Sequence, residues 1–338
     1  MIRLYYEARF GLARGAICVD GIPHLYLEGL EADSALNLLG VTSVARLKSR
    51  SGGMAFIALA DGHDAVLDAP QEALARLSEG AAIEIEIIAE ARSEKLARAR
   101  LIGTAEGEPR RLSPLLSVKD RLQAQARTCF GDAAIDGAED ETDLLDEARD
   151  TALNPSGPLP EGGHLSVERT RALIACDVDA AGGEGMATPK AFAKACNERA
   201  VQDIARRLRL SGLAGLVVID LIGRRHDAAK LHTQLLKGCG PEAGRIITGP
   251  MGKFGTLEFV RPWGACPLMD TVKSPLNQAY SLLRQAAKLA EADPGRLLAL
   301  RAPVSVIDQI RPLLAASYDP LAAIIRPEAA SKSEVVSL

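Results

Sequence analysis

The alternation of apolar and polar residues predicts a run of short β-strands in the first third of the chain. Residues 83–88 read Ile-Glu-Ile-Glu-Ile-Ile, and this period of two gives a strand one buried and one solvated face. Similar segments rich in β-forming residues occupy 44–48 and 54–59, and the turn signals Gly52-Gly53 and Asp61-Gly62 punctuate them. Short strands at this spacing are typical of a small five-stranded barrel.

The second half of the chain predicts helices that alternate with strands. Thr188-Pro189 suits the cap and first turn of a helix that runs to about residue 210. The continuous apolar run at 216–219 predicts a strand buried on both faces. Further strands are expected at 246–247 and 257–260, followed by helices and a small α/β tail whose last residues fray.

The segment between these two regions carries weaker signals. Its apolar spacing predicts a helix from about residue 113, a short β segment at Ala134-Ile135 and an acidic helix at 139–149. A loop rich in proline and glycine at 154–163 then predicts a domain boundary.

Composition narrows the class of protein. The chain has 338 residues, 47% hydrophobic and 25% charged, which predicts a globular protein of two or three domains. The net charge of −4 gives no global nucleic-acid signature, so any RNA binding would depend on local basic patches. No apolar run reaches membrane-spanning length and the first residues lack a signal-peptide core, which predicts a cytoplasmic protein with no membrane partner. The six cysteines form no CxxC pair, which predicts reduced, mostly buried thiols.

Three carboxylates stand where apolar β segments end. Asp177 and Asp179 follow one such segment, and Asp220 follows another after a helical crossover. Strands connected in this way often lie side by side, so Asp177 and Asp220 could share one hard divalent cation such as Mg²⁺. Such a cation acidifies bound water and stabilises charge at phosphorus. From the pattern alone, the favoured alternative is that these residues only cap strands and turns.

The segment 162–220 begins with Gly162-Gly163-His164-Leu165, ends with Gly215-Leu216-Val217-Val218-Ile219-Asp220 and carries Ile204-Ala205-Arg206-Arg207-Leu208-Arg209-Leu210 in the helix between them. In these motifs it resembles the catalytic region of the ribonuclease E/G family. That resemblance implies that Asp177 and Asp220 are the magnesium ligands of an endoribonuclease, with Mn²⁺ as an open alternative. Asp179 stands where the family has an asparagine that orders the site, and its extra negative charge either strengthens cation binding or disfavours it by like-charge repulsion. Gly223 stands where the family has a second acid. The other matching segments are Thr170-Arg171-Ala172-Leu173 and Asn197-Glu198-Arg199-Ala200.

Residues 44–101 resemble the OB-type RNA-binding barrel of the same family. Phe56 matches an aromatic that stacks on a base, Val66 replaces a second aromatic, and Lys95 matches a lysine that contacts the backbone. For Phe56 the open alternative is a core aromatic, and for the basic residues it is a solvated face. The further candidates for phosphate contacts are Arg46, Lys48, Arg50, Arg98 and Arg100. Arg206, Arg207 and Arg209, on the helix before the strand that ends at Asp220, either guide the phosphate backbone or form a solvated helix face paired with Asp203 and Glu198.

Two parts of the family pattern are missing. Only about sixty residues separate Leu101 from Gly162, so the segment that senses a 5'-monophosphate is predicted to be absent. Arg127-Thr128 is similar to the sensor's Arg-Thr pair, but its helical context favours coincidence. The zinc-binding CPxC motif reads Cys266-Pro267-Leu268-Met269, which leaves too few thiolates for a structural zinc, so no zinc link is predicted.

The resemblance therefore implies an α/β multi-domain protein: an RNase H-like scaffold (1–36 and 101–160) interrupted by an OB-fold barrel (37–100), a DNase I-like catalytic domain (161–270) and a small C-terminal α/β domain (271–338). It also implies Mg²⁺-dependent hydrolytic cleavage of single-stranded RNA in RNA processing, including rRNA processing, or mRNA decay. Cleavage should be independent of the 5' end, and a homodimer would form through a surface other than a zinc link. Two alternatives stay open: a catalytically impaired RNA-binding protein with the same fold, and a metal-dependent phosphatase.

Overall fold

A computed structural model describes residues 1–51, 53–92, 95–132, 135–137, 142–180 and 188–338. The strands up to the predicted boundary loop are β1 (Ile2–Arg9), β2 (Leu12–Val19), β3 (Ile22–Leu30), β4 (Thr42–Ser51), β5 (Met54–Ala58), β6 (Asp64–Asp68), β7 (Ala82–Ala89), β8 (Ala97–Thr104), β9 (Arg110–Arg111) and β10 (Ile135–Gly137). The helices of this part are α1 (Gln71–Ala75), α2 (Val118–Phe130) and α3 (Thr142–Leu153).

The later strands are β11 (Gly157–Pro158), β12 (His164–Arg169), β13 (Ile174–Asp179), β14 (Gly215–Asp220), β15 (Ile247–Thr248), β16 (Thr256–Arg261), β17 (Leu298–Ala302), β18 (Ile325–Ala329) and β19 (Glu334–Ser337). The later helices are α4 (Pro189–Ser211), α5 (Ala228–Cys239), α6 (Leu268–Thr271), α7 (Pro275–Ala292) and α8 (Val304–Ala316). No helix among the described residues is both long and apolar enough to cross a membrane.

Strands β4 to β8 form a closed five-stranded barrel, as predicted. Its order is β5-β6-β8-β7-β4, the pairing of β4 with β5 closes the ring, and β6 and β8 are parallel. The alternating residues Ile83, Ile85 and Ile87 all lie in its core, because every second side chain of a strand points inward. The barrel is OB-like, and β8 extends four residues beyond the predicted end of the domain.

The first sheet, in the order β10-β1-β2-β3, packs helices on both faces. Leu4 of β1 shares a cluster with Leu122 of α2, while its neighbour Tyr5 shares a cluster with Leu145 of α3. Of the expected β segment, Ile135 lies in β10 and Ala134 lies outside the described residues. The acidic helix is α3, and residues 139–141 of its predicted span also lie outside them.

The sheet that carries the aspartates has six strands in the order β11-β12-β13-β14-β16-β15. Helix α4 begins as predicted, since the side chain of Thr188 accepts a hydrogen bond from the Ala191 amide at 3.2 Å. Helices α4 and α5 bury one face of the sheet, including Val217 and Ile219 of β14. The prediction that this strand is buried on both faces is wrong, because Leu216 on its other face is 39% exposed.

The C-terminal unit combines a three-stranded sheet, in the order β18-β17-β19, with helices α7 and α8. Its core includes Leu300 of β17 and Ile310 of α8, and Phe10 from the first sheet joins the same cluster. The expectation that the last residues fray is wrong, because β19 pairs with β17 through four residues, from Leu298↔Ser337 to Arg301↔Glu334.

We expect Gly238→Ala to lower the free energy of unfolding by about 1–3 kcal/mol, because it overfills the contact between α4 and α5. A Cβ atom at Gly238 would lie 2.3 Å from the backbone oxygen of Gln202, so the two helices would have to separate. Alanine is the better helix former by about 1 kcal/mol, so an uncrowded site would be stabilised instead. In urea denaturation the change in the free energy of unfolding is therefore negative if α4 and α5 touch at Gly238 and positive if the site is uncrowded. An unchanged or raised stability of Gly238→Ala would contradict the close contact between the two helices.

Candidate functional site

The register of two parallel strands places Asp177 beside Asp220. Strands β13 and β14 pair from Ile174↔Val217 to Asp177↔Asp220, so the aspartates are direct neighbours at the carboxyl ends of both strands. Backbones of adjacent strands are about 4.8 Å apart, and paired residues project from the same face. Both side chains are exposed, on the face opposite α4 and α5, because Cys176 and Ile219 point into the core.

Hydroxyl groups extend this pair into a polar row across the sheet. Ser166 of β12 pairs with Asp177, and Thr256 of β16 pairs with Asp220, so the row reads Ser166, Asp177, Asp220, Thr256. Sequence reasoning assigned no role to Ser166 or Thr256. The sequence could have indicated Ser166 through the alternation of buried and exposed side chains along β12 and the short connection from this strand to β13, which together place Ser166 opposite Asp177.

Asp179 projects from the same face, one alternation further along β13. Its partner in the neighbouring strand is His164, which also received no role from the sequence. The His164 Nδ1 atom lies 3.4 Å from the Ser166 hydroxyl oxygen, so the imidazole borders the polar row. The three predicted aspartates and this histidine therefore share one open surface of the sheet.

The donor set fits a hard cation that keeps most of its own water. Within the described part of the chain, neither Asp177 nor Asp220 has an ion pair or hydrogen bond that would occupy its oxygens. The described residues contain no group of three or more His, Cys, Asp or Glu side chains arranged to hold a metal. Two free carboxylates match the coordination habit of Mg²⁺, which binds one or two protein carboxylates, waters and substrate phosphates.

Asn197 fixes the segment that follows Asp220. This residue of α4 is only 3% exposed; its Nδ2 donates to the Ile222 carbonyl at 3.1 Å and its Oδ1 accepts from the Ile222 amide at 3.0 Å. The two bonds tie the chain just beyond β14 to the helix beneath the sheet. Asn197 therefore positions the end of β14 without belonging to the polar row.

We expect Asn197→Leu to lower the kcat for the reaction of this site about tenfold or more, because leucine leaves both backbone groups of Ile222 unpaired and frees the end of β14. Comparison of kcat, KM and Tm checks this expectation. Loss of kcat in a variant that still melts cooperatively indicates positioning, whereas a parallel fall of activity and folded fraction would indicate a purely structural residue.

The predicted RNA-binding residues of the barrel lie on its outer face. In β5, Ala55 and Ile57 point into the core, so Phe56 points outward, and the core alternative for this residue is wrong. Phe56 pairs with Val66, and Val66 pairs with Arg98, which places the three in one outer row.

The basic residues around this row are solvated and mostly paired. Arg98 pairs with Asp68, Lys48 with Asp64 at 2.6 Å and Arg46 with Glu108 at 3.0 Å. Lys95 is exposed and has no side-chain partner among the described residues. Arg50 donates to the Leu74 carbonyl at 2.9 Å, and Arg100 pairs with Glu86 at 2.5 Å.

Two arginines on α4 are buried, although the sequence suggested either phosphate guides or an exposed helix face. Arg207 is 4% and Arg209 is 6% exposed. The side chains of Arg206 and Arg207 both bind Asp203, as the second interpretation predicts, but Glu198 pairs with Lys230 instead. These arginines hold segments of the chain together.

The segment related to the zinc motif is packed into the protein. Burial raises the pKa of the Cys266 thiol to about 12, and the nearby carboxylates of Glu90 and Asp270 act in the same direction. Met269, at the position of the family's second cysteine, packs against the core of the six-stranded sheet. The six cysteines all lie among the described residues, where none of them forms a disulfide and five are buried, as predicted.

Comparison with known proteins identifies the segment that carries the site. Residues 139–263 match the model of the Ribonuclease E/G family. A 114-residue segment is 34% identical to Ribonuclease E of Buchnera aphidicola subsp. Schizaphis graminum, covering 33% of this chain and 12% of that protein. A 106-residue segment is 35% identical to Ribonuclease E of Escherichia coli K12, covering 30% of this chain and 10% of that protein.

A third relative is the chloroplastic Ribonuclease E/G-like protein of Arabidopsis thaliana, which is 28% identical over 124 residues, 35% of this chain and 12% of that protein. The matches thus span only a small part of these relatives' length. The residues matched by the family model, 139–263, contain the paired aspartates and the helix between their strands. The segment 139–263 of this chain is therefore similar to the ribonuclease E/G family.

Proposed function

We propose that this protein is an endoribonuclease that hydrolyses single-stranded RNA in RNA processing or decay, with Mg²⁺ held between Asp177 and Asp220. The observation that carries the proposal is the register pair itself: two exposed, unpartnered carboxylates side by side within the segment that matches the family. Mn²⁺ is a second metal compatible with the same oxygen ligands.

When bound, a hard divalent cation supplies Lewis-acid polarisation of a phosphoryl oxygen and a more acidic water. Asp177 and Asp220 hold that cation, and their place on paired strands keeps the oxygens oriented before substrate arrives. Ser166 and Thr256, at the ends of the row, offer hydroxyl donors to phosphate oxygens. Asn197 keeps the end of β14 in register while the substrate binds.

In this proposal the barrel holds the RNA strand while the sheet cuts it. Phe56 stacks on a base, a contact worth about 1–3 kcal/mol. Lys95 contacts the phosphate backbone directly. The exposed ion pairs of Arg46, Lys48 and Arg98 are each worth about 0–1 kcal/mol, so these cations can exchange their carboxylates for phosphates at little cost.

The finer assignments belong to the same proposal. The first sheet with α2 and α3 would be an RNase H-like scaffold, and the six-stranded sheet with α4 and α5 a DNase I-like catalytic domain. Only six residues, 112–117, lie between β9 and α2, which supports cleavage independent of the 5' end. The products would carry 5'-phosphate and 3'-hydroxyl ends, the compartment would be the cytoplasm, and a homodimer would form without zinc.

The test is to incubate the protein with single-stranded RNA carrying a 5'-monophosphate, 5'-triphosphate or 5'-hydroxyl, with Mg²⁺, with Mn²⁺ and with chelator. Metal-dependent cleavage at similar rates on all three substrates is the expected result. Binding without cleavage would support the alternative of a catalytically impaired RNA-binding protein. Turnover of small phosphoesters without cleavage of RNA would identify a phosphatase instead.

A further inference from the structure

An exposed phenylalanine stands beside the candidate site. Phe254 lies in the connection between β15 and β16, two residues before Thr256, and is 88% exposed. Among the described residues, only Tyr318 in the C-terminal unit is a comparably exposed aromatic, at 102%. A single exposed ring is common on protein surfaces, but this one borders the open face that carries the polar row, where it can stack on a base of single-stranded RNA.

The connection that carries Phe254 is held rigidly against the segment following Asp220. The Gly252 amide donates to the Thr256 carbonyl at 2.8 Å, and the Gly255 amide donates to the Gly252 carbonyl at 3.0 Å. A Cβ atom at Gly255 would lie 2.9 Å from the Gly223 carbonyl oxygen, so the two segments touch through their backbones. The backbone on both sides of Phe254 is therefore held at the edge of the site, while its ring extends into solvent.

A cavity of about 510 Å³ lies on the other side of this contact, between α4 and the segment following Asp220. Its acidic residues are already engaged, since Glu198 pairs with Lys230 at 2.6 Å and Asp227 caps α5 by accepting from the Lys230 amide at 3.1 Å. The remaining cations, here called the basic cluster, have no ion-pair partner among the described residues; they are Lys190, Lys194, Arg224 and Arg225.

The arrangement of the basic cluster is unfavourable without an anion. Lys190 and Lys194 are four residues apart on α4, where like charges repel, and Lys190 lies in the first turn, where the helix dipole disfavours a cation. Arg224 and Arg225 add two adjacent charges opposite them. In a chain of net charge −4, such a local excess of positive charge indicates a phosphate-rich ligand.

We propose that Phe254 and the basic cluster form a subsite for the single-stranded RNA that flanks the phosphate at the aspartates. Phe254 stacks on a base, and the basic cluster takes the phosphates that follow along the carboxyl edge of the sheet. The subsite deepens the proposed function and rests on it. It provides a second binding surface for the RNA, separate from the outer face of the barrel.

The test measures binding of a fluorescent single-stranded 12-nucleotide RNA to the full chain in an Asp177→Asn background, so that the RNA is not cut. Phe254→Ala is expected to weaken binding about tenfold, with Phe254→Trp restoring it and Tyr318→Ala serving as the matched control. The double variant K190Q/K194Q is expected to lower the slope of log affinity against log salt by about 1.4. Its matched control is K237Q/K332Q, which removes two exposed lysines elsewhere.

If Phe254→Ala and K190Q/K194Q show the same RNA affinity and the same salt slope as their control variants, the subsite is overturned. This holds even if the protein with Asp177 intact still cuts RNA. Binding that depends on Phe254 in a protein that never cuts RNA would remove the proposed nuclease activity and keep the subsite. If inorganic polyphosphate binds the basic cluster as tightly as RNA and Phe254→Ala has no effect, the cluster is a polyanion site and the proposal fails. Tm should not fall in any of these variants, since all of these side chains are exposed, and it should rise slightly in K190Q/K194Q, which removes the repulsion between the two lysines.

Discussion

Replacing Asp177 or Asp220 by asparagine is expected to lower the rate of RNA cleavage about 10³-fold or more, while RNA affinity and Tm stay unchanged. Asparagine has nearly the same shape but removes the charge that holds a divalent cation, whose stabilisation of the transition state is worth several kcal/mol. Because both carboxylates are exposed and unpartnered, their removal leaves no buried group unsatisfied. Single-turnover cleavage, RNA binding and thermal melting measure the three quantities separately.

Glu168→Gln provides the matched control for this experiment. Glu168 projects from the same face of the sheet, opposite Ala175 rather than a carboxylate, and it is also exposed. The rate of RNA cleavage by the Glu168→Gln variant should stay within about twofold of that of the unmodified protein. The double variant Asp177→Asn/Asp220→Asn should be little slower than either single variant, because the two residues act as one unit. Full activity in either single variant would refute the shared cation.

The sequence identified the aspartates because they end apolar segments, which is a local property. Their side-by-side placement depends on the parallel register of β13 and β14, which the helical crossover suggested but did not fix. Ser166 and Thr256 were missed because their importance comes only from pairing with the aspartates. Asn197 was missed as a positioning residue because its partner, Ile222, is 25 residues away along the chain, in the segment just beyond β14.

The strand β14 shows the opposite case, in which a strong local pattern gave a wrong conclusion. A continuous apolar run is typical of strands covered on both faces, but Leu216 and Val218 point away from α4 and α5. The apolar run at 216–219 indicates a hydrophobic strand, but it does not indicate which of the strand's two faces other elements cover. The uncovered face of β14 is the one that carries Asp220. The same lack of a covering element therefore makes the burial prediction wrong and leaves the aspartates accessible.

The arginines of α4 were misjudged for a related reason. Charged residues on a helix usually face water, and only the three-dimensional structure shows that distant carbonyl groups converge on one of them. Arg207 donates to the carbonyls of Pro155 and Pro158, both at 2.8 Å, and of Gly157 at 3.2 Å. Arg207 thus fastens residues 155–158 of the predicted boundary loop to α4, and Arg199 of the same helix binds Glu161 and Gly162 further along the loop.

We expect Arg207→Ala to lower the free energy of unfolding by about 3–5 kcal/mol, one of the largest effects available in this chain. The substitution removes the guanidinium bonds to three loop carbonyls and the 2.7 Å contact between Arg207 Nε and Asp203. Lysine should not rescue the loss, because a single ammonium cannot reproduce the planar set of donors. Urea denaturation of the two variants measures both effects.

Arg206→Ala is the matched control, since Arg206 binds the same carboxylate but is only partly buried. It should cost about 1 kcal/mol or less. Although burial acts to raise it, the pKa of Asp203 is lowered by Arg206 and then Arg207, so the stability from this contact is present above the ordinary carboxyl pKa and lost as pH falls through the lowered value. Arg207→Ala should therefore flatten the acid limb of the stability profile. Equal stability losses in the two variants would mean that the loop carbonyls are hydrated and that Arg207 does not fasten the loop.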